Sequence, residues 1–315
     1  MRRVSRYTLF PNILCHLRMT SFFRKSLLYF WWIVTSYFMS GKANKFTLLK
    51  NGFSRPLAVY SLLMENKRLR LNKKYPFRND KDIRSFEDYN DFLSFMFGSE
   101  PLKLINEHGS SELSNLYQKS IRKMKSLYGE DRQLSVLSLE ESMSLYFSVR
   151  ILKPEIVVET GVSDGMSSLF ILSALEKNRK GCLYSIDFPD VGMPKLYGKE
   201  PGWIVDKAFC TKWTLIYGKT SQELLPLLTK LRYVNIFLHD SEHSYPNMKF
   251  EFSTALKYMR EGSLMLSDDV RANGSFLEVC SEFGLDRNNI CLLTGKDSDL
   301  GVAAINRNLK VTIRS

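Results

Sequence analysis

Four aspartates, each following a segment with the composition of a buried strand, are the residues best suited to chemistry. The apolar segments and the acids after them are 182–186 with Asp187, 234–238 with Asp240, and 264–266 with Asp268 and Asp269. Because parallel strands end at the same edge of a sheet, we expect Asp240, Asp268 and Asp269 to lie close together. Neighbouring carboxylates repel one another, and a hard divalent cation such as Mg²⁺ relieves that repulsion. The sequence therefore predicts a divalent-cation site, with solvated loop acids or helix caps as the alternative.

A glycine-containing turn precedes these acids. The segment Glu159–Gly165 (ETGVSDG) lies between an apolar strand at 156–158 and an apolar helix at 168–175. Glycines allow the backbone to approach a ligand closely, and a helix N-terminus offers free N–H groups. Asp187 follows Gly165 at the end of the next strand, where a carboxylate can accept both hydroxyls of a ribose. The pattern predicts a nucleoside cofactor, with an ordinary tight turn as the alternative.

The spacing of the turn resembles one particular family. A dehydrogenase usually shows G-x-G-x-x-G, whereas Glu159, Gly161 and Gly165 give E-x-G-x-x-x-G. This resembles motif I of class I S-adenosylmethionine-dependent methyltransferases, whose cofactor has no pyrophosphate. The resemblance implies a loop for the adenine after the third strand. The implied cofactor-binding residues are Glu159, Gly161, Ser163, Gly165, Ser167, Asp187, Gly218, Thr220, Ser221 and Asp240.

A second resemblance follows from the segment His239–Tyr245 (HDSEHSY), together with Gly262 and the pair Asp268-Asp269. It is similar to the metal-dependent O-methyltransferase branch that includes cephalosporin-hydroxylase-like and macrocin-type sugar methyltransferases. The similarity covers about residues 135–306. It implies that Asp240, Asp268 and Asp269 hold Mg²⁺ or a similar cation, with Asp240 counted as catalytic.

Two histidines compete for the role of general base. His243 stands where catechol-type enzymes carry a catalytic lysine, and an imidazole titrates near neutral pH. His239 directly precedes Asp240 on the strand, so its side chain should point to the opposite face. We therefore favour His243, with a plain loop hydrogen bond as the alternative for either ring.

These resemblances imply transfer of a methyl group from S-adenosylmethionine to a hydroxyl of a sugar, glycoside or other small molecule. Two other functions stay open at this point. One is a nicotinamide-dependent oxidoreductase on a similar sheet. The other is a non-catalytic protein that binds a nucleoside or acts as a scaffold.

Alternating strands and helices position these residues. Ser138 and Glu141 predict a capping box at the start of a helix. From 134 onward the pattern predicts a Rossmann-like, mostly parallel sheet of seven strands, with helices on both faces and a C-terminal antiparallel hairpin. Residues 134–315 form the predicted methyltransferase domain, and 46–133 a helical extension that could cap the substrate cleft. Within that extension, the basic run 67–74 is interpreted as a solvated helix face rather than a phosphate site, and Ser85 predicts the start of a helix that runs to Phe97. In the methyltransferase domain, a helix is predicted from Asn247 to Arg260, closed by Gly262.

The basic charge is concentrated at the start of the chain. Residues 1–45 form a basic and apolar segment, and the whole chain carries a net charge of +12. Since the remainder is nearly balanced, a nucleic-acid partner is not expected. The run 27–39 is too short for a membrane span, so 24–45 is predicted to make at most weak peripheral contact with a membrane. Met19 or Met39 is an alternative translation start. Five scattered cysteines indicate that the protein resides in a reducing cytoplasm. Whether the chain forms a homo-oligomer stays open.

Overall fold

A computed structural model describes residues 67–78, 82–98, 103, 110–130, 134, 136–188, 199–295 and 299–305. The chain divides into two compact units, 1–67 and 68–315, and the described residues belong almost entirely to the second. The segment 1–45, with its predicted membrane contact, lies outside the described residues. None of the helices in the described ranges combines the length and hydropathy that a bilayer span requires.

The second unit is built on an eight-stranded sheet with the order β1-β7-β8-β6-β5-β2-β3-β4. β8 is antiparallel to its neighbours β6 and β7, and the other pairings are parallel. The strands are β1 (Arg84–Phe86), β2 (Ile156–Thr160), β3 (Cys182–Asp187), β4 (Trp213–Tyr217), β5 (Val234–His239), β6 (Met259–Ser267), β7 (Ile290–Thr294) and β8 (Asp299–Ile305).

Helices cover both faces of this sheet. They are α1 (Tyr89–Phe97), α2 (Ser110–Tyr128), α3 (Leu139–Leu152), α4 (Met166–Asn178), α5 (Thr220–Leu231), α6 (Tyr245–Leu256) and α7 (Ser275–Glu282), and residues 67–74 are also helical. Successive strand residues point to opposite faces, so Val157 packs with α1–α4 while Val158 packs with α5–α7. The predicted capping box of Ser138 and Glu141 is confirmed at the start of α3. The Rossmann-like fold class predicted from the sequence is thus confirmed.

Two details differ from the prediction. The sheet has an eighth strand, β1, where the sequence predicted a helix beginning at Ser85; α1 instead begins after Asp88, whose carboxylate accepts two backbone N–H groups. The helix predicted to run to Arg260 ends at Leu256, because β6 already begins at Met259 by pairing with Val234. Gly262 therefore lies inside β6 rather than closing a helix.

Candidate active site

The glycine turn lies against the end of β5. Gly161 has φ +83°, and its N–H donates to the Ile186 carbonyl at 2.8 Å. A Cβ at this position would lie 1.9 Å from the Asp240 carbonyl oxygen, so only glycine fits. Gly165, at φ +103°, begins α4. The turn therefore brings the predicted cofactor loop and the first predicted metal acid into direct backbone contact.

Asp187 organises the same turn from the end of β3. Its Oδ2 accepts hydrogen bonds from the backbone N–H groups of Val162 and Ser163, each at 2.9 Å. The N–H of Gly218, at the end of β4, donates to the Asp187 carbonyl at 2.9 Å. Asp187, the turn and Gly218 thus meet at the carboxyl ends of β2, β3 and β4.

Glu159 and Ser167 lie beneath the turn rather than in the cleft. The Glu159 side chain is fully buried and accepts from the hydroxyls of Ser167, Ser168 and Ser185. Burial raises its pKa despite these hydrogen bonds. Any contribution of Glu159 and Ser167 to cofactor binding would therefore act through the shape of the turn.

The remaining predicted cofactor residues start α5. The Thr220 hydroxyl donates to Asn247 Oδ1 at 3.1 Å, and Ser221 is exposed. Asn247 in turn donates to Ser241 in the loop after β5. The α5 start is therefore connected by hydrogen bonds to the loop that carries the predicted catalytic residues.

A strip of residues at 200–206 lies beside the glycine turn. The Gly202 N–H donates to the Ser163 carbonyl at 2.8 Å, and the Trp203 indole and the Tyr128 hydroxyl both donate to Asp164 Oδ1. The sequence offered no motif for this contact. It holds these residues against the glycine turn.

Asp240 and Asp268 are held by the main chains of adjacent strands. The Asp240 N–H donates to the Thr160 carbonyl at 2.8 Å, and the Asp268 N–H donates to the His239 carbonyl at 2.9 Å. The two carboxyl groups interact directly. Burial raises the pKa of both, to about 7 for Asp268; repulsion from Asp268 adds to the rise at Asp240, and repulsion from Asp269 adds to it at Asp268. The sheet edge therefore holds two acids close enough to favour a shared proton or a cation.

His243 completes this cluster. Its Nε2 lies 4.0 Å from Asp240 Oδ1, 3.9 Å from Asp268 Oδ2 and 3.6 Å from Asp269 Oδ2. Its Nδ1 and the Oδ1 of Asp268 are buried without a hydrogen-bond partner in the described part of the chain. Burial, and then the nearby His239 and Arg68, lower the pKa of His243 to about 3, so the ring is neutral near physiological pH.

The donor atoms of Asp240, His243 and Asp268 all lie within 4.8 Å of one another, which suits a single divalent cation. Asp269, predicted as a third carboxylate ligand, is not part of that set. Its side chain is 49% exposed, and its backbone adopts a left-handed φ of +46°. Two carboxylates, one imidazole and the orphaned buried atoms together fit a cation.

His239 is fully buried beneath the cluster, and its ring packs edge-on against the His243 ring with centroids 5.2 Å apart. Its Nδ1 lies 2.6 Å from Glu251 Oε2, and both side chains are fully buried. Glu251 also accepts from Thr160, Ser241 and Asn247. Burial alone would raise the pKa of Glu251, but His239 and the hydroxyls of Thr160 and Ser241 lower it to about 2. Sequence reasoning missed Glu251, although a glutamate between Met248 and Phe252 on an apolar helix face is a signal.

The helical segment 67–74 was also missed as part of the site. Asn72 donates to the His243 carbonyl at 2.8 Å and accepts from the Tyr245 N–H at 2.9 Å. A cavity of about 380 Å³ opens between this segment and His243. Its lining residues are Arg68, Leu69, Asn72, Lys73, Pro76, Phe77, His243, Asp269, Arg271 and Ala272.

Comparison with known families bears on this arrangement. Residues 158–270, about a third of the chain, match a family model described as a methyltransferase domain. Over these residues the chain is similar to a methyltransferase domain. The matched residues run from β2 through the Asp268-Asp269 pair, so the glycine turn, Asp187 and the carboxylate cluster all lie within the matched stretch.

Solved structures with a similar fold include an O-methyltransferase from Bacillus cereus in complex with SAH, TomG from Streptomyces achromogenes in complex with SAM, and a methyltransferase from Geobacter sulfurreducens. Their identities are 13%, 15% and 15%, with TM-scores of 0.44, 0.43 and 0.46. The matches cover 64%, 69% and 60% of this chain and 96%, 95% and 89% of theirs. At these values the likeness carries no argument about substrate. Among curated proteins, no relative matches the sequence.

Proposed function

We propose that the protein transfers a methyl group from S-adenosylmethionine to a hydroxyl oxygen of a small molecule, assisted by a divalent cation. One observation carries the proposal: His243 Nε2 lies 3.6–4.0 Å from oxygens of three aspartates, beside the glycine turn. A neutral imidazole among carboxylates is favourable when a cation lies between them. When bound, such a cation lowers the pKa of a coordinated hydroxyl.

The cofactor would occupy the ends of β2, β3 and β4. Gly161 and Gly165 let the turn pack against the backbones of Asp240 and Gly202, and Asp187 and Gly218 border the turn. The acceptor would then lie over the ends of β5 and β6, next to Asp240 and Asp268. This division orients the two reactants along one edge of the sheet, which supplies a large part of the rate enhancement in direct transfer.

Two assignments of the cluster are compatible with this chemistry. In the first, which the sequence predicted, Asp240, Asp268 and Asp269 bind the cation and His243 is the general base. In the second, His243 is a ligand and Asp269 accepts the proton of the hydroxyl. The distances support the second, because the donor atoms of Asp240, His243 and Asp268 form the compact set. A His243 pKa of about 3 also makes the ring a weak base near neutral pH.

The second assignment changes the expected cation. A mixed set of imidazole and carboxylate donors suits Mn²⁺ or another transition metal better than Mg²⁺, which prefers oxygen ligands. Under the first assignment, the all-oxygen set suits Mg²⁺. Calorimetric titration of the protein with Mn²⁺ and with Mg²⁺ compares these two expectations directly.

Variants test the site without knowledge of the acceptor. Asp240→Asn and Asp268→Asn should each weaken cation binding, while Asp286→Asn, an exposed helix-cap control, should not. His243→Ala weakens cation binding only if the second assignment holds, and Asp269→Asn only if the first does. S-adenosylmethionine affinity should survive all these changes. Unaltered cation binding in both Asp240→Asn and Asp268→Asn would reject the metal site.

A further inference from the structure

We propose that Asn72 is a positioning residue for the candidate cation site: its side-chain amide fixes the main chain of residues 243–245, and thereby the direction in which His243 faces the cluster. This inference rests on the proposed function, in the assignment that makes His243 a ligand of the cation. The helical segment 67–74 then contributes a residue to the active site, beyond the solvated helix face that the sequence predicted.

The His243 ring lacks the support that a metal-binding imidazole usually has. Such a ring normally donates its second nitrogen to a carboxylate, a backbone carbonyl or water, which fixes its orientation. In His243, Nε2 faces the three aspartates, whereas the buried Nδ1 has no hydrogen-bond partner among the described residues. The ring instead packs edge-on against the ring of His239. Its direction therefore depends on packing and on the main chain that carries it.

The Asn72 amide binds that main chain with both of its ends. Its Nδ2 donates to the His243 carbonyl at 2.8 Å, and its Oδ1 accepts from the Tyr245 N–H at 2.9 Å. One of these partners can only accept and the other can only donate, so the orientation of the amide is fixed. Because the two contacts span residues 243–245, a rotation of the main chain that turns His243 would break at least one of them.

The second contact also supplies a missing helix cap. Tyr245 is the first residue of α6, and the side chain of Ser244, which occupies the N-cap position, makes no cap hydrogen bond. A helix N-terminus leaves backbone N–H groups without intrahelical partners. Asn72 satisfies one of them from a position 173 residues earlier in the chain. The start of α6, which closely follows His243, is therefore anchored to the segment 67–74.

The chain around Asn72 is itself held in place. The ring of Tyr75 stacks on the ring of Tyr245 with centroids 3.8 Å apart, and the Tyr75 carbonyl accepts from the Gly274 N–H at 2.8 Å. A Cβ on Gly274 would lie 2.9 Å from the Pro76 carbonyl oxygen, which shows how closely the two segments approach. A segment fixed in this way can impose its geometry on the loop that carries His243.

The test compares calorimetric titrations of Mn²⁺ and of S-adenosylmethionine into the wild type, Asn72→Ala and Asn235→Ala. Asn235 is the matched control, because it is also a half-buried asparagine bonded to the main chain, where it accepts from two N–H groups at the opposite end of β5. We expect Asn72→Ala to bind Mn²⁺ about tenfold more weakly, and Asn235→Ala to bind it as the wild type does. S-adenosylmethionine affinity should be equal in all three proteins. In Asn72→Ala the His243 carbonyl keeps Asn273 as a donor at 3.3 Å.

A second variant separates geometry from charge. Asn72→Asp retains an acceptor for the Tyr245 N–H but has no proton for the His243 carbonyl. Its added negative charge would by itself attract a cation, so a purely electrostatic effect predicts tighter Mn²⁺ binding. Loss of positioning predicts weaker binding, as in Asn72→Ala. In a His243→Ala background, Asn72→Ala should have no further effect on Mn²⁺ affinity, because its influence is transmitted through the missing ring.

The outcomes separate this inference from the proposed function. If S-adenosylmethionine does not bind but Asn72→Ala selectively weakens Mn²⁺ binding, methyl transfer is rejected and the positioning role stands. If Asp240→Asn and His243→Ala weaken Mn²⁺ binding but Asn72→Ala does so no more than Asn235→Ala, the cation site stands and the positioning role is overturned. Tighter Mn²⁺ binding in Asn72→Asp also overturns the positioning role, and a wild type that binds no Mn²⁺ overturns both.

Discussion

Substitution of Gly161 by alanine tests whether the glycine turn and Asp240, the candidate metal ligand, are rigidly packed against each other. Gly161 and Gly262 have nearly equal positive φ values, +83° and +82°. A left-handed conformation costs an alanine about 1–2 kcal/mol at either position. The two sites differ in space: a Cβ at 161 meets the Asp240 carbonyl oxygen at 1.9 Å, whereas one at 262 meets nothing within 4 Å.

The magnitude follows from that difference. An ordinary contact at about 3.4 Å would require the turn and the Asp240 backbone to separate by about 1.5 Å. Forced expansion of a packed region typically costs about 1–3 kcal/mol. Gly161→Ala should therefore lower the free energy of unfolding by about 1–3 kcal/mol more than Gly262→Ala does. Displacement of Asp240 should also weaken Mn²⁺ binding in Gly161→Ala, but not in Gly262→Ala.

Urea unfolding followed by circular dichroism measures the first effect, and calorimetry with Mn²⁺ measures the second. Equal unfolding midpoints for the two variants would show that the turn can move away from Asp240 at little cost. Weakened Mn²⁺ binding in both variants would show that the effect is global rather than transmitted through the contact. Either result would refute the reasoning.

Three further outcomes are expected. Asp187→Ala should lower S-adenosylmethionine affinity at least about tenfold by calorimetry, because the turn amides and the predicted ribose contacts lose a charged acceptor; an unchanged dissociation constant removes Asp187 from the site. Mn²⁺ affinity should rise from about pH 6 to 8, because the raised pKa values of Asp240 and Asp268 mean that protons compete with the cation as the pH falls; a flat profile contradicts this. Glu251→Gln should lower the free energy of unfolding, measured with urea, by about 2 kcal/mol, because it breaks the buried ion pair with His239. The same change at the exposed Glu282 should lower it by less than about 1 kcal/mol. Similar losses in the two variants would argue against the buried network.

The strands that position the site could be predicted because each is a short apolar run with an informative residue at its end. Asp187, Asp240 and Asp268 were found in this way, and the structure gathers them at the same edge of the sheet. β1 could not be predicted from the sequence. Its three residues show no hydrophobic pattern, and they become a strand only by pairing with β7, which lies about 200 positions later in the chain. The end of α6 was misjudged because Met259 also fits a helical period, and pairing with Val234 decides its conformation.

The wall of the cavity escaped prediction for a related reason. A basic run such as 67–74 has the same composition whether it faces water or a ligand, and its role depends on Asn72 meeting His243 across 171 residues. The sequence also could not decide whether His243 is a general base or a metal ligand. Spacing alone gave the order Asp240, His243, Asp268 and Asp269, but not which three donor atoms converge.

The position of β8 has a consequence for how the protein acquires its structure during synthesis. This strand, at 299–305, is inserted between β6 and β7, and β7 in turn carries β1 on its other side. Three of the eight strands, β1, β7 and β8, therefore join the sheet only after residues near 300 leave the ribosome, and until then the earlier strand β6 has an unpaired edge. Such long-range pairing slows folding and exposes strand edges to association with other chains. Truncation before 299 should leave this edge open permanently, so aggregation rather than mere loss of activity is the expected fate of a shortened chain.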